Sequence, residues 1–252
     1  VMGHSCLRMQ CPAFDMDYCF SYESEDVASR FWDFIAGNLH MGLFVIPTTK
    51  YCQEYREEGR GVNEYPINLP IDVKRNLWRI VDTYVAEGKL LKYDYLRRGC
   101  TITCVKFIHE ALGNTPIEYD PSLYNQSPTA RELVKRATQD ALWMRFCVCF
   151  IAGSETDIPL HGEKQLLVPG DLVAAWQKAT VNGEPLLSQE PIVLVEGKPQ
   201  INDAWFTPLM AMMILLMLCI ANLFWNQPYF DWFMLAVQTL IGVFMMYIIC
   251  IS

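Results

Sequence analysis

Apolar and polar positions alternate twice near the start of the chain. His4 to Cys11 alternates, Pro12-Ala-Phe-Asp-Met16 supplies a connection, and Asp17-Tyr-Cys-Phe-Ser-Tyr22 alternates again, which predicts a β-hairpin. On its second strand Tyr18, Phe20 and Tyr22 share one face, and Asp17, Cys19 and Ser21 the other. Residues 23–37 read as a short helix with Phe31, Trp32, Phe34 and Ile35 on its apolar side, and residues 38–47 as a further strand. Thr48 to Arg60 predicts a charged surface helix ended by Gly59, with Arg56 and Arg60 in solvent. Val62 to Leu69 is extended. Pro70 and Asp72 then open an amphipathic helix to about Glu87 that turns Val73, Leu77, Ile80, Val81 and Tyr84 inward.

The stretch from Lys92 to Leu112 reads as a turn opening directly into a helix. Gly99 ends an aromatic and basic approach segment, Cys100 and Thr101 occupy the cap and first turn, and Ile102, Val105, Ile108 and Leu112 follow at helical spacing. A cysteine at a helix N-terminus has its thiolate stabilised by the positive end of the dipole and by backbone N–H groups, and Arg97 and Arg98 would add to that field. The plain alternative is a buried structural cysteine. His4, far upstream, is a candidate base that favours the nucleophile. A side chain from the Asp17, Cys19, Ser21 face could orient its ring; Ser21 is the first choice and Cys19 the next.

Beyond this helix, residues 113–128 are rich in Pro, Asn, Ser and Tyr and predict a long loop, a candidate lid or substrate-binding element. Residues 131–151 read as helix, 153–162 as loop, 166–179 as a helix opened near Pro169, and 181–195 as short turn-bounded strands. The composition changes at Trp205. Residues 206–224 carry no charge, and residues 230–251 carry only Asp231 near their start and Gln238 inside. Each run can cross a hydrocarbon core of about 30 Å, and Trp205, Trp225, Tyr229 and Trp232 flank them as interfacial belts do. The expected organisation is a catalytic domain over residues 1–200 and a transmembrane pair over residues 205–252, with the domain and Ser252 on one side of the membrane.

Charge and the remaining chemistry narrow the function classes. A net charge of −8 and the absence of a basic stripe argue against nucleic acid as a partner. The ten cysteines show no metal-ligand spacing, so neither a metal nor another cofactor is expected. His109, nine residues after Cys100, falls on a different face of its helix and reads as structural or surface, His40 as a satisfied strand residue, and His161 as a loop residue that could approach the site. Met210, Met212, Met213 and Met217 read as lipid-facing and packing surface. The chain enters its first strand almost at once, with no signal-like leader, and an upstream part is expected to precede it.

A set of motifs carries a family resemblance. Gly3-His4-Ser5 with Leu7-Arg8, then Asp17 to Tyr22, Tyr55-Arg-Glu-Glu-Gly-Arg60 leading to Asn68-Leu69, Tyr93-Asp-Tyr95 with Gly99-Cys100-Thr101, and Gly153 to Asp157 with Leu167-Val-Pro-Gly-Asp-Leu172 occur in an order that resembles the Lnb-type periplasmic domain family. Gly99, Ile102 and Thr103 depart from that family's usual residues around the cysteine. The resemblance implies an α+β, permuted papain-like (NlpC-type) catalytic domain followed by a transmembrane helical hairpin, on the periplasmic face of a bacterial inner membrane. It implies Cys100 as nucleophile and His4 as its base. The activity implied is a thiol acyltransferase that moves an acyl chain from a phospholipid or lipoprotein donor, through a Cys thioester, to the N-terminal amine of a lipoprotein. A membrane-bound cysteine peptidase, amidase or lipid hydrolase would use the same pair, and a non-enzymatic scaffold would need neither residue.

Overall fold

The computed structural model describes residues 3–24, 29, 40–92, 99–187, 190–198, 205–225 and 227–251. The helix expected over residues 23–37 and the approach residues Tyr93, Tyr95, Arg97 and Arg98 lie largely or wholly outside them. Two strands, β1 (Cys6–Cys11) and β2 (Met16–Ser24), form the expected hairpin around a short turn at Pro12–Phe14. The turn closes on Asp15, whose φ of 52° is left-handed. Strand β3 (His40–Pro47) pairs antiparallel with β2, and the sheet runs β1-β2-β3-β5. Here β4 is Val62–Glu64 and β5 is Leu91–Lys92.

Helix α1 (Thr48–Glu57) follows β3 and stops before Gly59, whose φ of 71° lies in the left-handed region that favours glycine. Helix α2 (Ile71–Ala86) opens with Pro70 ahead of it, and α3 (Cys100–Leu112) ends at Gly113, again at positive φ. Helices α2 and α3 pack on one face of the hairpin, because the alternation that makes the strands leaves Leu7, Met9 and Phe20 on that face. These join Leu77 and Val81 of α2 and Val105, Phe107 and Ile108 of α3 in one buried cluster. Val81 and Ile108 are fully buried. Tyr84 meets Phe107 edge-on at 4.9 Å, and Phe20 meets Trp78 at 6.3 Å.

The helix expected over residues 131–151 is two helices, α4 (Ala130–Ala137) and α5 (Leu142–Ile151). The break follows from Thr138, whose φ of −115° leaves the helical region. Its hydroxyl bonds back to the Val134 carbonyl at 2.7 Å beside its own N–H at 3.0 Å, the back-bonding that commonly bends a helix. At its start α4 carries a reciprocal cap between Thr129 and Glu132. Helix α6 (Pro169–Trp176) and the short strands β6 (Thr180–Val181), β7 (Glu184–Pro185) and β8 (Ile192–Val195) complete the domain, with β8 paired to β4.

Two apolar helices follow, α7 (Pro208–Trp225) and α8 (Pro228–Ile251). Only α8, over Pro228–Tyr247, is among the described residues long and apolar enough to cross a membrane, with a mean hydropathy of 1.4 and none of that stretch buried. Helix α7 is equally apolar but shorter than a span: it opens only at Pro208, where a missing N–H costs no helical hydrogen bond. Asn222 near the end of α7 donates to Asp231 of α8 at 2.6 Å and accepts from the backbone of Gln227 at 3.1 Å.

Candidate active site

Gly99 is the N-cap of α3, in extended conformation, so Cys100 is the first helical residue. The Thr103 N–H returns to the Gly99 carbonyl at 3.0 Å, which leaves the earlier first-turn N–H groups without a partner inside the helix. Thr101 beside it is fully buried, and its hydroxyl lies 3.8 Å from the Cys100 sulfur. A backbone bond from Ser5 ties the thiol to the start of the hairpin.

The hairpin register explains how His4 arrives there. Cys6 faces Ser21 across β1 and β2. Directly opposed antiparallel residues share a face, so stepping two positions back from Cys6 puts His4 on the Ser21 side and opposite Glu23. His4 Nε2 accordingly lies 2.7 Å from the Ser21 hydroxyl and 3.7 Å from a Glu23 carboxylate oxygen. Ser21 is fully buried and donates its own proton to Glu23. A hydroxyl has one proton to give. With that proton on Glu23, Ser21 must accept from His4, so Nε2 carries hydrogen and Nδ1 holds the lone pair. Nδ1 then carries the lone pair that a base requires.

Burial pushes the Cys100 thiol up. The His4 hydrogen bond and charge, the Ser5 backbone N–H and the Thr101 hydroxyl outweigh it and bring the thiol down to about 7. The same pairing acts on His4 in reverse. Burial lowers its pKa, but the hydrogen bond and charge of Cys100 and the charge of Glu23 raise it above the ordinary value, with Arg60 opposing. Each group favours the charged form of the other. Cys104, one turn further along α3, is pushed well up by burial and then by the Cys100 charge, which leaves it an inert thiol.

His4 and Cys100 open onto a cleft of about 470 Å³. Helix α1 forms one wall, and here the structure corrects the expectation of a purely solvated helix. Tyr51, Glu54, Tyr55 and Glu58 recur at helical spacing and line the cleft, as does Arg60. Arg60, expected in solvent, stacks on the Tyr55 ring at 4.1 Å, donates to its hydroxyl at 3.2 Å and pairs with Glu58 at 2.9 Å. Its loop is held by a close backbone approach: an added Cβ on Gly197 would sit 2.9 Å from the Gly61 nitrogen. Glu23 and Tyr51 are not singled out by the sequence, and Arg60 is read there only as a solvated residue and as part of a family motif. The tyrosine and glutamate spacing on α1 was the available signal, and it reads equally as an exposed face.

The other candidates fall elsewhere. Cys19, the second choice for orienting His4, is buried against Thr48 at 3.5 Å instead. His109 pairs with Glu163 at 2.9 Å, and His161 bonds Ser127 at 2.8 Å; neither lines the Cys100 cleft. The 113–128 loop also does not line it. Residues of that loop, Tyr119, Asp120, Ser122, Leu123, Gln126 and Pro128, border a separate cleft of about 230 Å³ with Arg136 and Lys178. Among the described residues no group of three or more His, Cys, Asp or Glu side chains could hold a metal ion.

Mixed helix and strand, with a helix-terminal thiol and a hairpin imidazole sharing one cleft, define the class of domain. The family model of the Lnb N-terminal periplasmic domain matches residues 1–136, a span that holds His4, Ser21 and Cys100, and the chain belongs to that family. Neither the curated proteins nor the solved structures gave a match. A periplasmic domain family together with one helix able to cross a membrane is consistent with a membrane protein that carries a periplasmic domain.

Proposed function

We propose that this chain is a membrane-anchored thiol acyltransferase with a permuted papain-like domain, transferring a lipid acyl chain to the N-terminal amine of bacterial lipoproteins at the periplasmic face of the inner membrane. The observation that carries the reading is the Cys100 thiol at the first position of α3, sharing one cleft with His4, whose pairing with it helps bring the thiol down to about 7. The thiolate attacks the ester carbonyl of a phospholipid or lipoprotein donor, and backbone N–H groups of the first turn of α3 receive the oxyanion. Collapse breaks the ester C–O bond, and the alcohol leaves with the proton held by His4. The thioester is then attacked by the acceptor amine. His4 takes the amine proton as the C–N bond forms, the C–S bond breaks, and the Cys100 thiolate returns. Ser21 and Glu23 hold the imidazole in the tautomer both half-reactions need.

The charge balance of the cleft supports an amine acceptor. Among the described residues that line it, Glu23, Glu54 and Glu58 stand with one guanidinium, that of Arg60, a balance that favours an ammonium group. Helices α7 and α8, inserted as a hairpin closed by the Asn222 and Asp231 pair, would hold the domain where donor and acceptor lipids are concentrated. The test is the N-terminal acylation state of lipoproteins, read by mass spectrometry in cells that lack their own N-acyltransferase and express the full-length protein or its Cys100→Ala variant. N-acylated lipoprotein with the unsubstituted protein alone is the expected result. Its absence from well-expressed, membrane-inserted protein would transfer the same thiol and imidazole to amide or ester hydrolysis.

A further inference from the structure

Helix α5 is built inside out. Its ten residues, Leu142–Ile151, contain one charge, Arg145, and its exposed positions are Trp143, Phe146, Cys147 and Phe150. That spacing of three, four and seven places them on one face. A helix on the surface of a water-soluble domain turns its charged face outward; here the outward face is aromatic, with Trp143, Phe146 and Phe150 each 37–46% exposed. Phe146 and Phe150 stack at 5.9 Å and Trp143 meets Phe146 at 6.2 Å, so the three rings form one continuous strip.

The strip leads to the point where the apolar helices begin. The Trp143 indole N–H donates to the Phe206 carbonyl at 2.7 Å, and the two rings lie 5.8 Å apart. Phe206 is two residues ahead of α7 and touches Trp205, itself 83% exposed. Two indoles, Trp143 and Trp205, each with a polar edge, beside the wholly apolar rings of Phe146, Phe150 and Phe206 at the start of the apolar helices match the chemistry of the headgroup and acyl boundary.

We propose that α5 lies in the membrane–water interface with its Trp143, Phe146 and Phe150 face in the bilayer, as a second attachment beside α7 and α8. This rests on the membrane insertion of α7 and α8 and not on acyl transfer. The helix is tied to the domain: Arg131 of α4 donates to the Cys149 carbonyl of α5 at 2.5 Å and to the carbonyls of Ala152 and Gly153 just beyond it at 3.0 and 3.3 Å, and pairs with Asp157 at 2.6 Å. Membrane contact at α5 therefore fixes the attitude of the whole domain, including the Cys100 cleft, to the lipid surface.

The test places a diazirine-bearing phenylalanine at position 146, 150, 244 or 107 of the full chain in vesicles of phosphatidylethanolamine and phosphatidylglycerol, with adducts identified by mass spectrometry after irradiation. Lipid adducts at 146 and 150 comparable to those at 244 in α8, and none at the core position 107, are expected. Lipid adducts at 244 together with only water insertion, or cross-links to a second copy of the chain, at 146 and 150 would overturn the interfacial helix. No lipid adduct at 244 would overturn it along with the membrane reading beneath it. In a chain free of the photoreactive residue, quenching of tryptophan fluorescence by brominated lipid should drop in Trp143→Phe; unchanged quenching counts against the proposal.

Discussion

The proton on Ser21 decides the chemistry at His4. Because that proton is committed to Glu23, the imidazole presents Nε2–H to Ser21 and keeps its lone pair on Nδ1. The consequence is measurable as thiol reactivity, independent of any substrate. Alkylation of Cys100, followed peptide by peptide so that the buried Cys19 and Cys104 do not contribute, should rise with pH through a midpoint near 7, since the thiolate is the reacting form. In His4→Ala the hydrogen bond and charge that lower the thiol are gone while its burial remains, so the midpoint should move up toward or past the ordinary 9.0. Ser21→Ala removes the bond that orients His4, a net contribution of about 1 kcal/mol, together with the Ser21 bond to Glu23, and should slow alkylation at pH 7 by about fivefold. A midpoint near 7 that survives His4→Ala would break the pairing. His4 and Cys100 were legible because each stands in a short motif with a chemical reason. Strand alternation gave the face of Asp17, Cys19 and Ser21, but nothing in the sequence separates Ser21 from Cys19; the hairpin register does. Glu23 escaped because it sits where the strand was expected to give way to a helix, and only the observed register sets it opposite His4.

At the level of elements, the site depends on three pieces held in register: the hairpin that carries His4, the start of α3, and the α1 loop that ends in Arg60. Periodicity exposed the first two directly, since alternation gave β1 and β2 and the Gly99 boundary gave α3. For α1 it gave the helix but not its role. Tyr51, Glu54, Tyr55 and Glu58 among charged neighbours look the same in sequence whether the face meets solvent or a cleft. The loop after α1 is set by a contact between residues far apart in sequence, Gly61 against Gly197, that no local pattern reports. A methyl group at position 197 meets backbone, which cannot rotate away. Gly197→Ala should therefore cost about 1–3 kcal/mol by thermal or denaturant unfolding. It should also lower acyl transfer more than Cys100 alkylation, because Arg60 and the α1 wall shift while the His4 and Cys100 pair does not. Equal losses in both assays would mean that the 61–197 contact supports only stability.

For the molecule as a whole, the break in composition at Trp205 was visible from sequence, but the outward aromatic face of α5 was not. Helical spacing shows that Trp143, Phe146, Cys147 and Phe150 share a face; whether that face points to the core or away depends on what the rest of the domain buries, which is settled only in three dimensions. The whole-molecule division of labour follows from the same placement. The groups that bring the thiol down are His4, Ser5 and Thr101, whereas on the proposed function encounter with lipid substrates would depend on the apolar helices holding the domain at the bilayer. A chain cut after residue 198 retains every residue that sets the Cys100 thiol near 7 and loses the tether. Its alkylation profile should match the full chain, while acylation of membrane-embedded lipoprotein should fall by about 10²-fold or more, the range by which tethering raises local concentration. Rejoining the cut domain to an unrelated transmembrane hairpin should restore part of the loss, and the remaining deficit measures how far the orientation set by α5 against α7 contributes beyond proximity. A cut chain as active as the full one on membrane-embedded acceptor would show that the helices serve something other than the reaction at Cys100.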